Sequence, residues 1–316
     1  MFVCPQERKA SWPALLLVMS VVLVNISAAL AETRLEVTEV APGVFVSTGS
    51  HSEVDSTNLG AVSNAGFVVG DSGVAVIDTG GSHAVGQALR AAVRRVTDRP
   101  VTYVINTHVH PDHVFGNGAF AATGAEFLGH YKLSRAIEQR MPFYANNFKR
   151  LIGIGFEGST ATPPAITVKH HLDIDLGGRT LRLTAHPTAH TDADLTVLDV
   201  ITGTLFAGDL LFVDRLPVID GSLKGWLAVV EKLRAVDATR AVPGHGPASV
   251  PWPEAADAQQ RYLTRLLEGV RAVLAAGGTL DDAMAKIGQD ERARWRLFDR
   301  DHARNVTASF TELEWE

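Results

Sequence analysis

Seven consecutive residues constrain this chain more than any other stretch: Thr107-His108-Val109-His110-Pro111-Asp112-His113. They follow directly on 101–105, an apolar run rich in β-branched and aromatic residues that reads as a strand. Three imidazoles and a carboxylate cannot be buried without partners. At a strand exit they can turn toward a common point. Imidazole nitrogen and carboxylate oxygen suit a borderline cation such as zinc, bound at about 2.0–2.2 Å. His108 and His110 alternate, so both can face one side of an extended segment. Asp112 and His113 come after the proline turn and can face a neighbouring ion. The chain has 12 His in 316 residues, so three within six positions by chance is improbable.

One loop cannot complete two four-coordinate sites, and further ligand types stand at other strand exits. His190 lies in Pro187-Thr188-Ala189-His190-Thr191, Asp209 follows Leu205-Phe206-Ala207-Gly208, and His245 lies in Pro243-Gly244-His245-Gly246. Taken singly, each reads as a turn residue. Their weight comes from occurring together, each beside a small residue where an apolar run ends. Asp78 closes another such run, 74–77, and taken by itself reads as a turn or helix-entry carboxylate. His186, four residues before His190, reads as a strand-end residue or as part of a substrate pocket.

The rest of the chain supplies alternating sheet and helix. Residues 66–69 and 74–77 flank a Gly/Asp turn and read as a hairpin. A helix is expected after Gly80-Gly81, capped by Ser82, with Val85, Leu89, Ala92, Val93 and Val96 on one face. A helix is expected from His130 to Phe148 and a loop over 153–164. Short strands follow at 166–168, 172–176, 180–184, 195–199 and 204–207. Then come a helix at 226–234, a strand at 240–242, a helix at 254–276 and a helical remainder. This order indicates a layered arrangement of sheets and helices. Gly153-Ile154-Gly155-Phe156-Glu157-Gly158 imitates a dinucleotide-binding loop, but a helical segment precedes it and prolines follow, so it is rejected.

The N-terminus reads differently. A polar stretch with Arg8 and Lys9, an apolar run over 12–24 and the small residues Ala29 and Ala31 form the pattern of a secretory signal. The expected organisation is a signal peptide at 1–31 and one hydrolase domain at 32–316. Loss of that segment removes Cys4, the single cysteine, and leaves no thiolate ligand or nucleophile. Export without stable membrane insertion is expected. The net charge of −6 gives no basis for nucleic-acid binding, so a small-molecule substrate is expected.

His108-x-His110-x-Asp112-His113, followed by His190, Asp209 and His245, resembles the metallo-β-lactamase superfamily over nearly all of residues 32–316. The resemblance implies an α+β fold, an αββα sandwich of two mixed sheets covered by outer helices. It implies two Zn2+ per chain, with iron or manganese compatible with the same ligands. His108, His110 and His190 would hold one ion, Asp112, His113 and His245 the other, and Asp209 would bridge them. Asp78 would orient the ligand loop. Phrases such as Asp112-His113-Val114-Phe115-Gly116-Asn117-Gly118 resemble more specifically an exported group associated with quinoprotein and sulfur-oxidation systems. That implies a periplasmic location and association with a quinoprotein pathway.

The expected chemistry is attack on a carbonyl by a hydroxide shared between two metals, with Asp112 orienting it or taking its proton. Familiar dizinc β-lactamases generally carry Cys or Ser where Asp209 stands. The substrate expected is therefore an ester, thioester or lactone. The alternatives are a β-lactamase-like amide hydrolase and a non-catalytic metal-binding accessory protein. Substrate contacts are expected from 49–63, 141–164 and 212–222, read as loops around a rigid site.

Overall fold

The computed structural model describes residues 1–2 and 34–316. The expected signal segment thus lies, apart from its first two residues, outside the described residues. The chain separates into Met1–Arg34 and Leu35–Glu316, and every element below belongs to the second unit. Among the described residues no helix is long and apolar enough to cross a membrane.

The first sheet is complete before the second begins. Strands β1 (Thr38–Ala41), β2 (Val44–Ser47), β3 (Ala65–Val69) and β4 (Val74–Ile77) form an antiparallel meander. Then β5 (Val101–Ile105), β6 (Glu126–His130) and β7 (Ile166–Val168) add in parallel. The spatial order of this sheet is sequential, β1 to β7. The second sheet has the order β13-β12-β11-β10-β9-β8. Its strands are β8 (His171–Asp175), β9 (Thr180–Ala185), β10 (Leu195–Asp199), β11 (Thr204–Phe212), β12 (Arg240–His245) and β13 (Val250–Pro251). Only β11 and β12 pair in parallel.

Strand alternation builds three layers of contact from short runs. In β4, Ala75 and Ile77 enter the core between the sheets, while Val74 and Val76 face a helix-covered core on the outside. In β11, Phe206 points to the inter-sheet core and Leu205 and Ala207 to the outer one. A strand buried on both faces reads as a continuous apolar run. Helix α1 (His83–Val96) covers the outer face of the first sheet through Leu89, Ala92 and Val93. Ser82 caps it by accepting from Val85 N. Val96, expected on the buried face, is exposed, because it sits in the last turn.

The short helix α2 (Pro111–Val114) carries the end of the ligand loop. Helix α3 (Leu133–Ile152) packs Leu133, Ala136 and Ile137 onto Val109 of that loop. It extends past the expected end at Phe148, and the expected start at His130 is instead the end of β6. The glycine-rich 153–158 segment only turns the chain after α3. Helices α4 (Leu223–Arg234), α5 (Asp257–Ala275), α6 (Leu280–Lys286) and α7 (Phe298–Leu313) cover the second sheet, with Trp226, Tyr262, Leu266 and Val306 in their core. The layers are helix, sheet, sheet, helix.

Candidate metal centre

Every element that supplies a ligand ends at the same margin of the sandwich. The loop after β5 provides His108, His110, Asp112 and His113. The β9–β10 connection provides His190, β11 provides Asp209, and the last residue of β12 is His245. All seven residues named from the sequence come together. They form two groups, His108, His110, His190 and Asp209, and Asp112, His113 and His245, whose candidate ligand atoms within each group lie within 4.8 Å of one another.

Asp209 stands between the groups. Its Oδ2 lies 3.4 Å from His190 Nε2, 3.4 Å from His245 Nε2 and 3.7 Å from His108 Nε2. Its Oδ1 lies 3.1 Å from His113 Nε2, a pair close in distance but not aligned as a hydrogen bond. The backbone explains this placement. β11 carries a bulge about Gly208, where the pairing with β12 shifts register and φ is +53°. Bulges re-aim the side chain that follows. Across the pair, a Cβ on Gly244 would collide with Asp209 Oδ1, so glycine there makes room for the carboxylate.

Each histidine is turned by what its other nitrogen meets. His113 Nδ1 lies 2.8 Å from Asp78 Oδ2. His190 Nδ1 faces Val218 O and His245 Nδ1 faces Val62 O, both at 2.8 Å. A carbonyl only accepts, so Nδ1 carries the proton in both rings and Nε2 keeps its lone pair for a cation. His110 is reversed: its Nδ1 lies 2.9 Å from His190 Nε2, and its Nε2 lies 3.0 Å from Asp220 Oδ2. Such outer partners fix ring orientation in metal sites.

Asp78 holds the start of the ligand loop. It accepts from Thr107 N at 2.8 Å and from the Thr107 hydroxyl at 2.7 Å as well as facing His113. It does so from a left-handed backbone conformation, φ +56°, which is costly for a non-glycine residue. His186, the other supporting candidate, is turned away. Its Nε2 lies 2.8 Å from Thr196 Oγ1, and it is absent from the cleft lining. His186 thus lies at the end of β9, beside Thr196 and outside the residues that line the cleft. The backbone N–H of His186 donates to Asp194 O, which keeps the residue within the β9–β10 hairpin.

The electrostatics follow from burial among few charges. Burial, with His113 next, holds His108 well below the ordinary imidazole value, and burial lowers His190 to about 3. Both rings are neutral, as metal ligation requires. Burial opposes protonation of His113, but Asp209, Asp78 and Asp112 together hold its pKa well above ordinary. Burial would likewise raise Asp209, yet His245, His113 and His108 keep it well below the usual carboxylate range. Three buried atoms, His108 Nε2, His113 Nε2 and Asp209 Oδ1, have no hydrogen-bond partner. Buried polar atoms are nearly always satisfied, and these three belong to the residues at which the two groups meet. The donor set therefore fits divalent cations.

Above the ligands lies a cleft of about 700 Å³. Residues from all three expected segments line it: Val54 and Val62, then Phe143, Tyr144 and Phe148, then Phe212, Arg215 and Val218. The second group lies on helix α3, within the stretch expected to be helical. Sequence reasoning also missed Asp220 and the arginines that hold it. Arg140 of α3 makes a short ion pair with Asp220 Oδ2, and Arg304 Nη2 of α7 lies 3.1 Å from Oδ1. Burial would raise the Asp220 carboxyl, but His110 and Arg140 hold it far below the usual range. Nothing local marks Asp220 in the sequence, since its partners come from three separate elements.

The family model described as metallo-beta-lactamase superfamily matches residues 59–245. Over 210 residues the chain is 25% identical to the linear primary-alkylsulfatase of Pseudomonas sp. (strain ATCC 19151), covering 55% of this chain and 39% of that protein. Among solved structures, the metallo-beta-lactamase from Pontibacter korlensis matches with a TM-score of 0.60 and 20% identity, over 73% of this chain and 99% of that one. The stereoselective inverting sec-alkylsulfatase Pisa1 from Pseudomonas sp. matches with a TM-score of 0.68 and 17% identity, over 88% of this chain and 50% of that one. The chain thus spans half or less of the length of these two sulfatases.

Proposed function

Because the chain belongs to the metallo-beta-lactamase superfamily, we propose that it is an exported hydrolase that holds two zinc ions and cleaves a carboxylic ester, thioester or lactone. The observation that carries this reading is the set of buried atoms without partners, His108 Nε2, His113 Nε2 and Asp209 Oδ1, in a cluster whose members His110, Asp112, His190, Asp209 and His245 line a cleft. Zinc held by His108, His110 and His190 and by Asp112, His113 and His245, with Asp209 between, would supply an activated water and polarise the substrate carbonyl.

The chain's own residues do the rest. Asp112 lines the cleft, with Oδ2 3.4 Å from His245 Nε2. Burial would raise its pKa, but His113 and His245 keep it below the ordinary carboxylate value, so it is ionised and can accept the proton of the attacking water. A bond forms from water oxygen to acyl carbon, the acyl–oxygen or acyl–sulfur bond breaks, and the proton passes to the leaving alkoxide or thiolate. Apolar and aromatic side chains, Val54, Phe143, Phe148 and Leu151, line the cleft and can take up the body of the substrate.

A second reading is sulfate-ester hydrolysis, favoured by the similarity to two alkylsulfatases. One experiment separates the readings. Metal content of the purified protein is measured, followed by turnover of para-nitrophenyl esters, a thioester, a lactone, a β-lactam and a linear alkyl sulfate. Zinc-dependent turnover of an ester, thioester or lactone supports the first reading, turnover of the alkyl sulfate alone supports the second, and turnover of the β-lactam alone would indicate an amide hydrolase instead. A zinc-loaded protein inert to the whole panel would favour an accessory role in a periplasmic quinoprotein system. Export rests on the pattern of residues 1–31, and N-terminal sequencing of periplasmic material is expected to begin near Glu32.

A further inference from the structure

The arginines that line the cleft are not equivalent. Arg140 and Arg304 both hold Asp220. Arg300 faces Glu53 Oε1 at 3.4 Å and Asp301 Oδ1 at 3.5 Å. Arg215 is only 8% exposed, lines the cleft with Asp112 and His245, and among the described residues has no carboxylate within 4.0 Å. Its Nε is buried and without a hydrogen-bond partner. Its Nη1 lies 3.1 Å from His245 Nδ1, but that nitrogen carries the proton directed at Val62 O. An N–H cannot accept from a guanidinium. Arg215 is therefore a buried cation with donors to spare.

A guanidinium stays charged at any working pH. Asp112 and Asp301 act on Arg215 electrostatically from beyond 4.0 Å and leave its donors unmatched, and a planar fork of N–H donors fits a carboxylate or a sulfate in two-point contact. We propose that Arg215 receives an anionic oxygen group carried by the substrate close to its scissile bond. The substrate class becomes an anionic ester, thioester or lactone whose apolar part lies against Phe143, Phe148 and Leu151. The proposal rests on the hydrolase reading of the cleft. It gives Arg215 a role in selecting the substrate, separate from the chemistry at Asp112.

The test compares mono(para-nitrophenyl) glutarate with para-nitrophenyl pentanoate, which has a similar chain and no charge. Wild type, Arg215→Lys and Arg215→Met are assayed as zinc-loaded full-length proteins. The ratio of kcat/KM, anionic over neutral, is expected to fall about tenfold or more in Arg215→Met, with Arg215→Lys retaining part of it. Zinc content is expected to stay equal in all three. Glutarate titrated into each protein by calorimetry should bind wild type and lose affinity by a comparable factor in Arg215→Met. Equal loss on both esters, or glutarate affinity independent of Arg215, overturns the proposal. Loss of zinc in both variants overturns it too, because Arg215 would then only support His245. Arg215-dependent glutarate binding by a protein inert to both esters would keep the anion site and overturn the carbonyl-hydrolase reading instead.

Discussion

Asp209 is the residue on which both halves of the candidate centre depend. Its carboxylate lies 3.1–3.7 Å from members of both histidine groups. Asp209→Ala removes the negative charge between two cation sites. Zinc stoichiometry is expected to fall and turnover to drop by orders of magnitude while circular dichroism stays native. Full occupancy with unchanged turnover would show that Asp209 bridges nothing. Asp78 acts at one remove, through His113 Nδ1 and the two Thr107 donors. Asp78→Asn is expected to weaken zinc binding about 10–100-fold, read by competition with a chromophoric chelator. These residues were legible because their chemistry is written locally: imidazoles and carboxylates where apolar strands end. Asp220, Arg140 and Arg215 were not, since each takes its meaning from residues far away in sequence. The separation of 110 positions from His110 to Asp220 is closed only by the fold.

At the scale of elements, the strands around the inter-sheet core were readable and their ends were not. β11 was expected to stop at Ala207, yet it runs to Phe212 through the bulge at Gly208. A glycine at an apolar run's end looks like a stop unless the partner strand is known. Helix α7 is the larger surprise, for the remainder of the chain was given no task. Asn305 Oδ1 accepts from Ile219 N, and its Nδ2 donates to Pro217 O and to the Tyr262 hydroxyl. Those bonds hold the loop whose Val218 O orients His190. Asn305→Ala leaves buried backbone groups without partners, which should cost about 2–4 kcal/mol, seen as a lower urea midpoint. His190 then loses its support, so zinc affinity should fall as well. Unchanged zinc affinity with lowered stability would show that α7 supports the fold but not the centre. The Asn305-Val306-Thr307 triplet imitates a glycosylation acceptor, but the asparagine is fully buried.

For the molecule as a whole, acid sensitivity has a source outside the candidate centre. Burial, foremost, lowers His130 and His186 to about 4, against about 6.5 in an unfolded chain. Between these values the unfolded state binds more protons, so the stability from keeping both rings neutral is present above pH 6.5 and lost as pH falls toward 4. Urea unfolding of chelator-treated protein at pH 7 and pH 5 should show this loss, and a His130→Gln, His186→Gln double variant should show a smaller one. An identical pH dependence in the variant would place the sensitivity elsewhere. The order of the strands has a different consequence. The first sheet ends at Val168 and the second starts at His171, so a cut between Lys169 and His170 would part the chain into two pieces with one whole sheet each. His108, His110, Asp112 and His113 would leave with the first piece, and His190, Asp209 and His245 with the second. On the proposed two-ion reading, each ion would draw ligands from both pieces. Two separately expressed fragments are then expected to reassemble, and to regain any metal-dependent activity, only as the free metal concentration rises.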